Sequence, residues 1–344
     1  MDKRTWIELN PIDTLFFKGA ESMVVGEHHE VDTLFPPMPS TIIGAIRTAI
    51  MRQNQISPAD YLRQPSQWQE KYPILGLPDE PGFELTGPLF CTGTGSLLLP
   101  APANWFAASP AEKAEWERPY SVQTAQPRTV SSLGISGSVP NPVWLTHPKG
   151  PEMKSLSGWW VTAATFDAVC QNQDVLFTKD IKKLQADTPA ILPMSSLFGR
   201  EERVGIALTP ERTAKEGHLY STVHVVLHED VSLLVGINSP HDLCLKQEGI
   251  LQLGGEQRIC RYRIRESIAL PENQSGQTQL ALGPIKMTDL PEAWKGVPRC
   301  SGKLLRIGGW DMAKGFHKPM TAWLPHGTVF FTNERPNLSQ LMSF

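Results

Sequence analysis

Residues Thr5 to Leu9 alternate before the chain reaches Asn10-Pro11, which predicts a first strand closed by a turn. An apolar step, Leu15-Phe16-Phe17, follows and ends at Lys18-Gly19. Residues 19–35 are polar and poorly periodic, too long for a tight turn, so they are expected to form a functional or interface loop. Phe35-Pro36-Pro37-Met38-Pro39 then breaks any helix, and Ser40 is the expected N-cap of a helix starting at Thr41. Ile42, Ile43, Ile46, Ala49 and Ile50 give that helix one apolar stripe, with Arg47 and Arg52 off it. Gly44 lowers helix propensity by about 1 kcal/mol against alanine, which suggests the close approach of another backbone.

Further on, the pattern shortens. Residues 73–102 carry brief apolar runs cut by Gly and Pro, as hairpin edges do. Residues 107–155 are rich in Pro, Ser, Gly and Thr and read as a long insertion of low order in isolation. The texture changes near Pro193: residues 203–208 and 219–227 read as two strands joined by an exposed connection, and Val231–Val235 continues them as a meander. These elements place a first domain at 1–194, with an insertion at about 105–190, and a second at 195–344.

Composition narrows the class. The 344 residues suffice for two domains, and 40% hydrophobic with 19% charged residues is an ordinary globular balance. Thirty prolines and 27 glycines favour short strands and fixed turns over a helical bundle, so the expected class is α+β. A formal net charge of −3 argues against a free-standing nucleic-acid binder, so any RNA surface must be local. Five dispersed cysteines without a CxxC pair indicate neither a disulfide framework nor a zinc site and fit a reducing cytoplasm. No apolar run resembles a signal peptide or a membrane span.

Signals for catalysis are sparse. Cys91-Thr92-Gly93-Thr94-Gly95 is half of a dinucleotide fingerprint, but leucines and Pro100 follow where a phosphate-receiving helix is needed. His224 and His228 share a strand face without a third ligand nearby, and Glu201-Glu202 read as solvated strand-end charges. His28-His29-Glu30 offer acid-base groups in a loop, where a solvated pair is the plainer reading. No cofactor or metal is called for.

Loops that set glycine beside cations carry the positive signal. Gly254-Gly255-Glu256-Gln257-Arg258 lets a backbone approach phosphate closely while Arg258 supplies charge. Arg261, Arg263 and Arg265 recur at period two, a basic stripe on one strand face beside Tyr262. Arg306 to Lys318 forms a second glycine and cation loop with two aromatics, suited to stacking and phosphate contact.

Five blocks in order, WIELNPIDTLFF, FPPMPSTIIGAIRTAI, FGREERVGIALTPERTAKEGHLY, LQLGGEQR and GGWDMAKGFHKPMTAWLPHGTVFF, resemble the third subunit of the Cmr module, a type III-B CRISPR-Cas effector, within the RAMP superfamily. The resemblance spans nearly the whole chain except about 105–190. It implies two ferredoxin-like (RRM-like) β-α-β-β-α-β domains with long loop and β-hairpin insertions. It also implies a cytoplasmic, non-catalytic RNA-binding subunit that holds the 5′ repeat tag of the crRNA beside the large polymerase-like (cyclase-type) subunit. Backbone RAMP subunits and target RNA would lie nearby.

Mapped onto this sequence, the resemblance implies RNA contact at Lys18, at Ser40, Thr41 and Arg47, and at Gly254, Gly255 and Arg258. It extends to Gly309, Lys314, His317 and Lys318 in the terminal loop, and to Arg203, Arg212 and Lys215 in a segment compared with a thumb hairpin. The [KR]-G-[FY]-[GA]-F-V-x-[FY] strand of classical RNA-recognition folds is missing. Two rival readings are a metal-independent repeat-processing endoribonuclease using His28 or His29 with Lys18, and a protein-bridging scaffold with little RNA contact.

Overall fold

The protein is described from a computed structural model. It covers residues 4–19, 30–31, 33–108, 116–129, 141–148, 152–209, 212–265, 268–271, 276–308, 310–311, 316–334 and 338–344. His28 and His29 lie outside the described residues, as do Gly309 and Lys314.

The alternation at the start of the chain produces strand β1, Arg4–Pro11, which lies inside a ten-stranded sheet. On one side it pairs antiparallel with Val231–Asn238 (Leu9 opposite Leu233), and on the other with Ile259–Arg265 (Leu9 opposite Tyr262). Beyond Val231–Asn238 the order runs Glu84–Thr92, Leu97–Pro100, Trp160–Thr162, Ala190–Leu192, Val175–Phe177 and Arg118–Tyr120, while Glu248–Gln252 forms the opposite edge. Among the described residues of this sheet only Val175–Phe177 and Ala190–Leu192 pair in parallel, so the sheet is mixed and the class is α+β with few helices. Strands from both sides of residue 195 share this sheet and one buried core.

Helix α1, Pro39–Gln53, packs on the sheet against Glu248–Gln252 and Glu84–Thr92. Ile42, Ile46 and Ile50 are fully buried, each contributing about 1.5–3 kcal/mol by removal from water. The helix begins at Pro39, two residues before the expected start, because proline lacks only an N–H that the first turn leaves unbonded anyway. Ser40 is therefore not the N-cap: Met38 takes that position and no side chain caps the helix. Nor does another backbone approach Gly44, which is exposed with open space where a Cβ would stand.

Phe198–Leu208 and Ala214–Leu227 form a long antiparallel hairpin, in register from Phe198 opposite Leu227 to Ile206 opposite Leu219. Glu30–Val31 joins it in parallel. The expected meander does not form: after the turn at His228–Asp230 the chain enters the ten-stranded sheet between β1 and Glu84–Thr92. Leu233, Leu234, Val235 and Ile237 are all buried there, a continuous apolar run that suits a central strand and not a hairpin extension.

In the C-terminal part, Thr278–Ala281, Arg299–Cys300, Val329–Phe331 and Leu341–Ser343 make a four-stranded sheet. Ile285–Lys286, Thr321–Leu324 and Leu305–Ile307 make a three-stranded one. Leu290, Trp294, Leu324 and Phe330 form a small second core there, while Leu280, Leu282, Val329 and Met342 join the main one. Among the described residues no helix is long and apolar enough to cross a membrane.

Candidate nucleic-acid interface

A cleft of about 300 Å³ opens where three remote stretches of chain meet: the end of the first strand region, the start of α1, and the strands of the C-terminal sheet. Lys18 reaches it because its backbone bridges Thr33, and the Leu34 N–H donates to the Phe17 carbonyl at 3.0 Å. Ser40 and Thr41 bring their hydroxyls from the first turn of the helix, and Gly308 and Lys318 arrive from the last third of the chain. Phe17, Leu34, Met38 and Ile307 supply apolar lining.

The electrostatics of this cleft favour an anion. Among the described residues no acidic side chain lines it or sits in the first turn of α1, and neither lysine has a carboxylate partner. The N-terminal end of a helix carries partial positive charge on unbonded N–H groups. The uncapped first turn leaves the Ser40 hydroxyl, which is exposed, uncommitted to its own helix. Two free ammonium groups, two hydroxyls and a glycine backbone around an open concavity are what phosphate contact requires.

Other sequence candidates are occupied elsewhere. The Arg258 guanidinium donates to Asp13 Oδ2 at 2.6 Å and Glu256 Oε2 at 2.8 Å, and its side chain is 17% exposed. Gly254 and Gly255 approach a backbone, but the backbone is the protein's own: the Gly255 N–H donates to the Phe16 carbonyl at 2.8 Å. Gly254, at φ 87°, leaves only 2.5 Å between a Cβ and that same oxygen. Arg47 ties α1 to the following loop, donating to the Leu77 carbonyl at 2.7 Å, the Pro78 carbonyl at 3.1 Å and the Tyr61 hydroxyl. Arg203 is held by Glu201 at 2.7 Å, with Asp13 at 3.7 Å.

Arg212 is exposed at the hairpin tip with φ 61°, and the backbone of Lys215 lies in the hairpin strand. His317 pairs through its backbone with Trp310 in a two-stranded ribbon that leads to Lys318. Arg261, Arg263 and Arg265 do share one exposed face, but Tyr262 points the other way. It is buried against the helix side, where the Gln53 side-chain amide donates to its hydroxyl.

A polar cluster that sequence reasoning missed underlies the hairpin. His224 is fully buried, its Nδ1 is 2.9 Å from the Thr14 hydroxyl, and its ring stacks on Phe16 at 5.2 Å. Burial pushes its pKa down, and Arg258 and Arg203 reinforce this against the opposing pull of Glu256. The contact of its Nε2 with Glu256 at 3.5 Å is therefore not an ion pair at neutral pH. Asp13 is held below the usual carboxylate range, chiefly by a hydrogen bond from the Thr14 backbone and then by Arg258 and Arg203. His228 instead contacts the Ser195 carbonyl at 3.1 Å, so the two histidines do not converge on a shared ligand. Nothing in the sequence joins Asp13 and Thr14 to residues 224, 256 and 258; only the fold does.

Among the described residues no group of three or more His, Cys, Asp and Glu side chains could hold a metal ion. The Gly93–Gly95 stretch is the turn between Glu84–Thr92 and Leu97–Pro100, not a strand-to-helix phosphate loop. Cys260 is buried, and burial pushes its thiol up to about 12, which leaves it inert as a nucleophile.

An α+β chain built on a mixed sheet, with an anion-suited cleft assembled from both ends of the sequence, defines the class. The sequence profile of the CRISPR-associated protein (Cas_Cmr3) family matches residues 7–343, and the chain belongs to that family. The resemblance of the five sequence blocks to a Cmr subunit is thereby borne out. By shape the chain is similar to one in the type III-B Cmr-beta assembly bound to cognate target RNA and AMPPnP, solved by cryo-electron microscopy. The TM-score is 0.55 and the identity 18%, over 95% of this chain and 86% of that one. A second Cmr-beta structure, bound to cognate target RNA, matches with TM-score 0.52 at the same identity and coverage. Compared with curated proteins, the chain finds no sequence match.

Proposed function

We propose that this protein is a non-catalytic, RNA-binding subunit of a type III-B CRISPR-Cas effector, and that it anchors the 5′ repeat tag of the guide RNA beside the large polymerase-like subunit. The observation that carries the reading is the convergence of Lys18, Ser40, Thr41, Gly308 and Lys318 on one cleft, with no carboxylate among the described residues of its lining. Three of the five conspicuous sequence blocks meet there, which gives a single physical reason for their chemistry. Family membership and the shared fold with chains of RNA-bound Cmr-beta assemblies support the same reading. Under it the protein consists of two ferredoxin-like units, and the hairpin Phe198–Leu227 is an insertion directed toward the guide. The slightly negative net charge of −3 fits a subunit whose surface is largely spent on protein contacts, with RNA met at one local cationic site.

The test is salt-dependent binding of the purified chain, alone and with its large-subunit partner, to RNAs with and without the repeat-derived 5′ segment. Tag-dependent binding that strengthens with the partner and leaves the RNA intact is the expected result. Tag-indifferent binding would overturn the anchoring role, and cleavage of the RNA would overturn the non-catalytic one.

A further inference from the structure

Among the described residues the ten-stranded sheet is open at Glu248–Gln252, which pairs only with Ile259–Arg265. The Leu253 N–H donates to the Arg258 carbonyl at 2.9 Å and the Ile264 N–H to the Gln247 carbonyl at 2.8 Å. In an antiparallel pair, residues that exchange backbone bonds alternate with residues whose N–H and C=O point away. With 247 and 253 bonded inward, the backbone groups of Glu248, Ile250 and Gln252 point outward. Among the described residues none of these outward groups has a hydrogen-bond partner. Free edges of this kind are normally blunted by proline, lysine or a covering segment. Here the edge carries no proline or lysine, and it exposes Ile250 at 54%.

The chemistry of the adjoining face says what fits. The side chains of Glu248 and Ile250 share it with Arg261, Arg263 and Arg265, around a concavity of about 660 Å³. Arg265 holds Glu8 at 3.2 Å and Arg263 holds Glu248 at 3.7 Å, whereas Arg261, directly opposite Ile250, has no carboxylate among the described residues. Ile259 on the same strand face is 40% exposed. An RNA backbone would meet two carboxylates and two exposed isoleucines, and only one uncommitted cation. A polypeptide strand can bond the outward backbone groups, cover Ile250 and bring one carboxylate to Arg261, which matches every feature of the surface.

We infer that the edge strand Glu248–Gln252 accepts a β-strand from another protein subunit, one that carries an acidic side chain toward Arg261. The inference rests on the reading of the chain as a subunit of an assembly. It is tested by hydrogen–deuterium exchange on the chain alone and on the effector purified through a tag on this chain, with and without ribonuclease treatment. The outward amides of Glu248, Ile250 and Gln252 are expected to exchange freely in the isolated chain and at least ~100-fold more slowly in the assembly, whether or not accessible RNA has been digested.

The N–H that Ile250→Pro removes points outward and is not one bonded to Ile259–Arg265, a position where an edge strand tolerates proline. In competition for incorporation it should fall behind Ile250→Val by about tenfold, the size of one lost anchoring bond with its unpaired acceptor. Amides that exchange equally fast in the assembly and the free chain would overturn the inference while leaving the subunit reading intact. Protection that disappears with ribonuclease would assign the face to RNA and overturn it too. Failure of the wild-type chain to enter any assembly would instead overturn the subunit reading, and this inference with it.

Discussion

Whether a cation is free or already paired decides how it should respond to mutation, and the chain offers a direct contrast. Lys18 and Lys318 line the cleft without a carboxylate partner among the described residues, whereas Arg258 is held by both Asp13 and Glu256. For single-stranded nucleic acid, each neutralised phosphate steepens the dependence of log K on log salt by about 0.7. Replacing both lysines by alanine should therefore flatten the slope by about 1.4. Near 0.1 M salt that corresponds to a loss of about 25-fold in affinity, or roughly 2 kcal/mol.

Arg258→Gln removes a charge whose field two carboxylates already cancel, so its slope should stay within about 0.3 of the unmodified chain. Lys182→Ala, which loses a lysine bound to Glu229 at 3.0 Å, is the control for charge removed away from the cleft. The assay is fluorescence anisotropy with a labelled RNA carrying the repeat-derived 5′ segment, titrated at four salt concentrations, with circular dichroism melts to verify folding. An unchanged slope for the double lysine variant, or an equal change for Arg258→Gln, would refute the reasoning.

Three further outcomes follow from the packing. Gly44→Ala should raise stability by up to about 1 kcal/mol in urea denaturation, because the added methyl meets nothing within 4 Å and the helix gains propensity. Gly254→Ala should destabilise by more than about 1 kcal/mol, since φ 87° disfavours a side chain and the Cβ would stand 2.5 Å from the Phe16 carbonyl; the thermal melt reads it. His326, whose ring lies 5.3 Å from that of Trp160, is pushed by burial down to about 4 from an unfolded value near 6.5. The folded state thus binds fewer protons, and the contribution of His326, complete above pH 6.5, is lost as pH falls toward 4. Urea denaturation should show about 2 kcal/mol less stability from this residue at pH 5 than at pH 7.5, a difference that His326→Phe abolishes.

The elements most legible in the sequence were those governed by local rules. The apolar stripe of α1 and the alternation of β1 were readable, because periodicity fixes which face is buried. The hairpin limbs are longer than their apolar pattern: Phe198 to Glu202 extend the first limb into a polar stretch that pairing with residues 223–227 makes regular. The run Val231–Val235 reads as a strand, but its neighbours β1 and Glu84–Thr92 are not legible, since a buried strand does not announce its partners.

For the cleft, Lys18, Ser40, Thr41 and Lys318 were named from the sequence, and they do meet. Arg258 and Arg47 were named with equal reason and are bound by acceptors brought in from residues 13 and 77–78. Charge is visible in a sequence. The partner that cancels it is not, when the two are distant in the chain.

Residues 13–18 hold an engineering lesson. Asp13 receives Arg258, Thr14 meets His224, Leu15 exchanges backbone bonds of 2.8 Å with Val225, Phe16 accepts from Gly255, and Lys18 bridges Thr33. Five successive anchors leave no slack for an inserted or deleted residue, because a shift of one position would misplace every anchor beyond it. Affinity tags, fluorophore loops or split sites therefore do not belong in this short span.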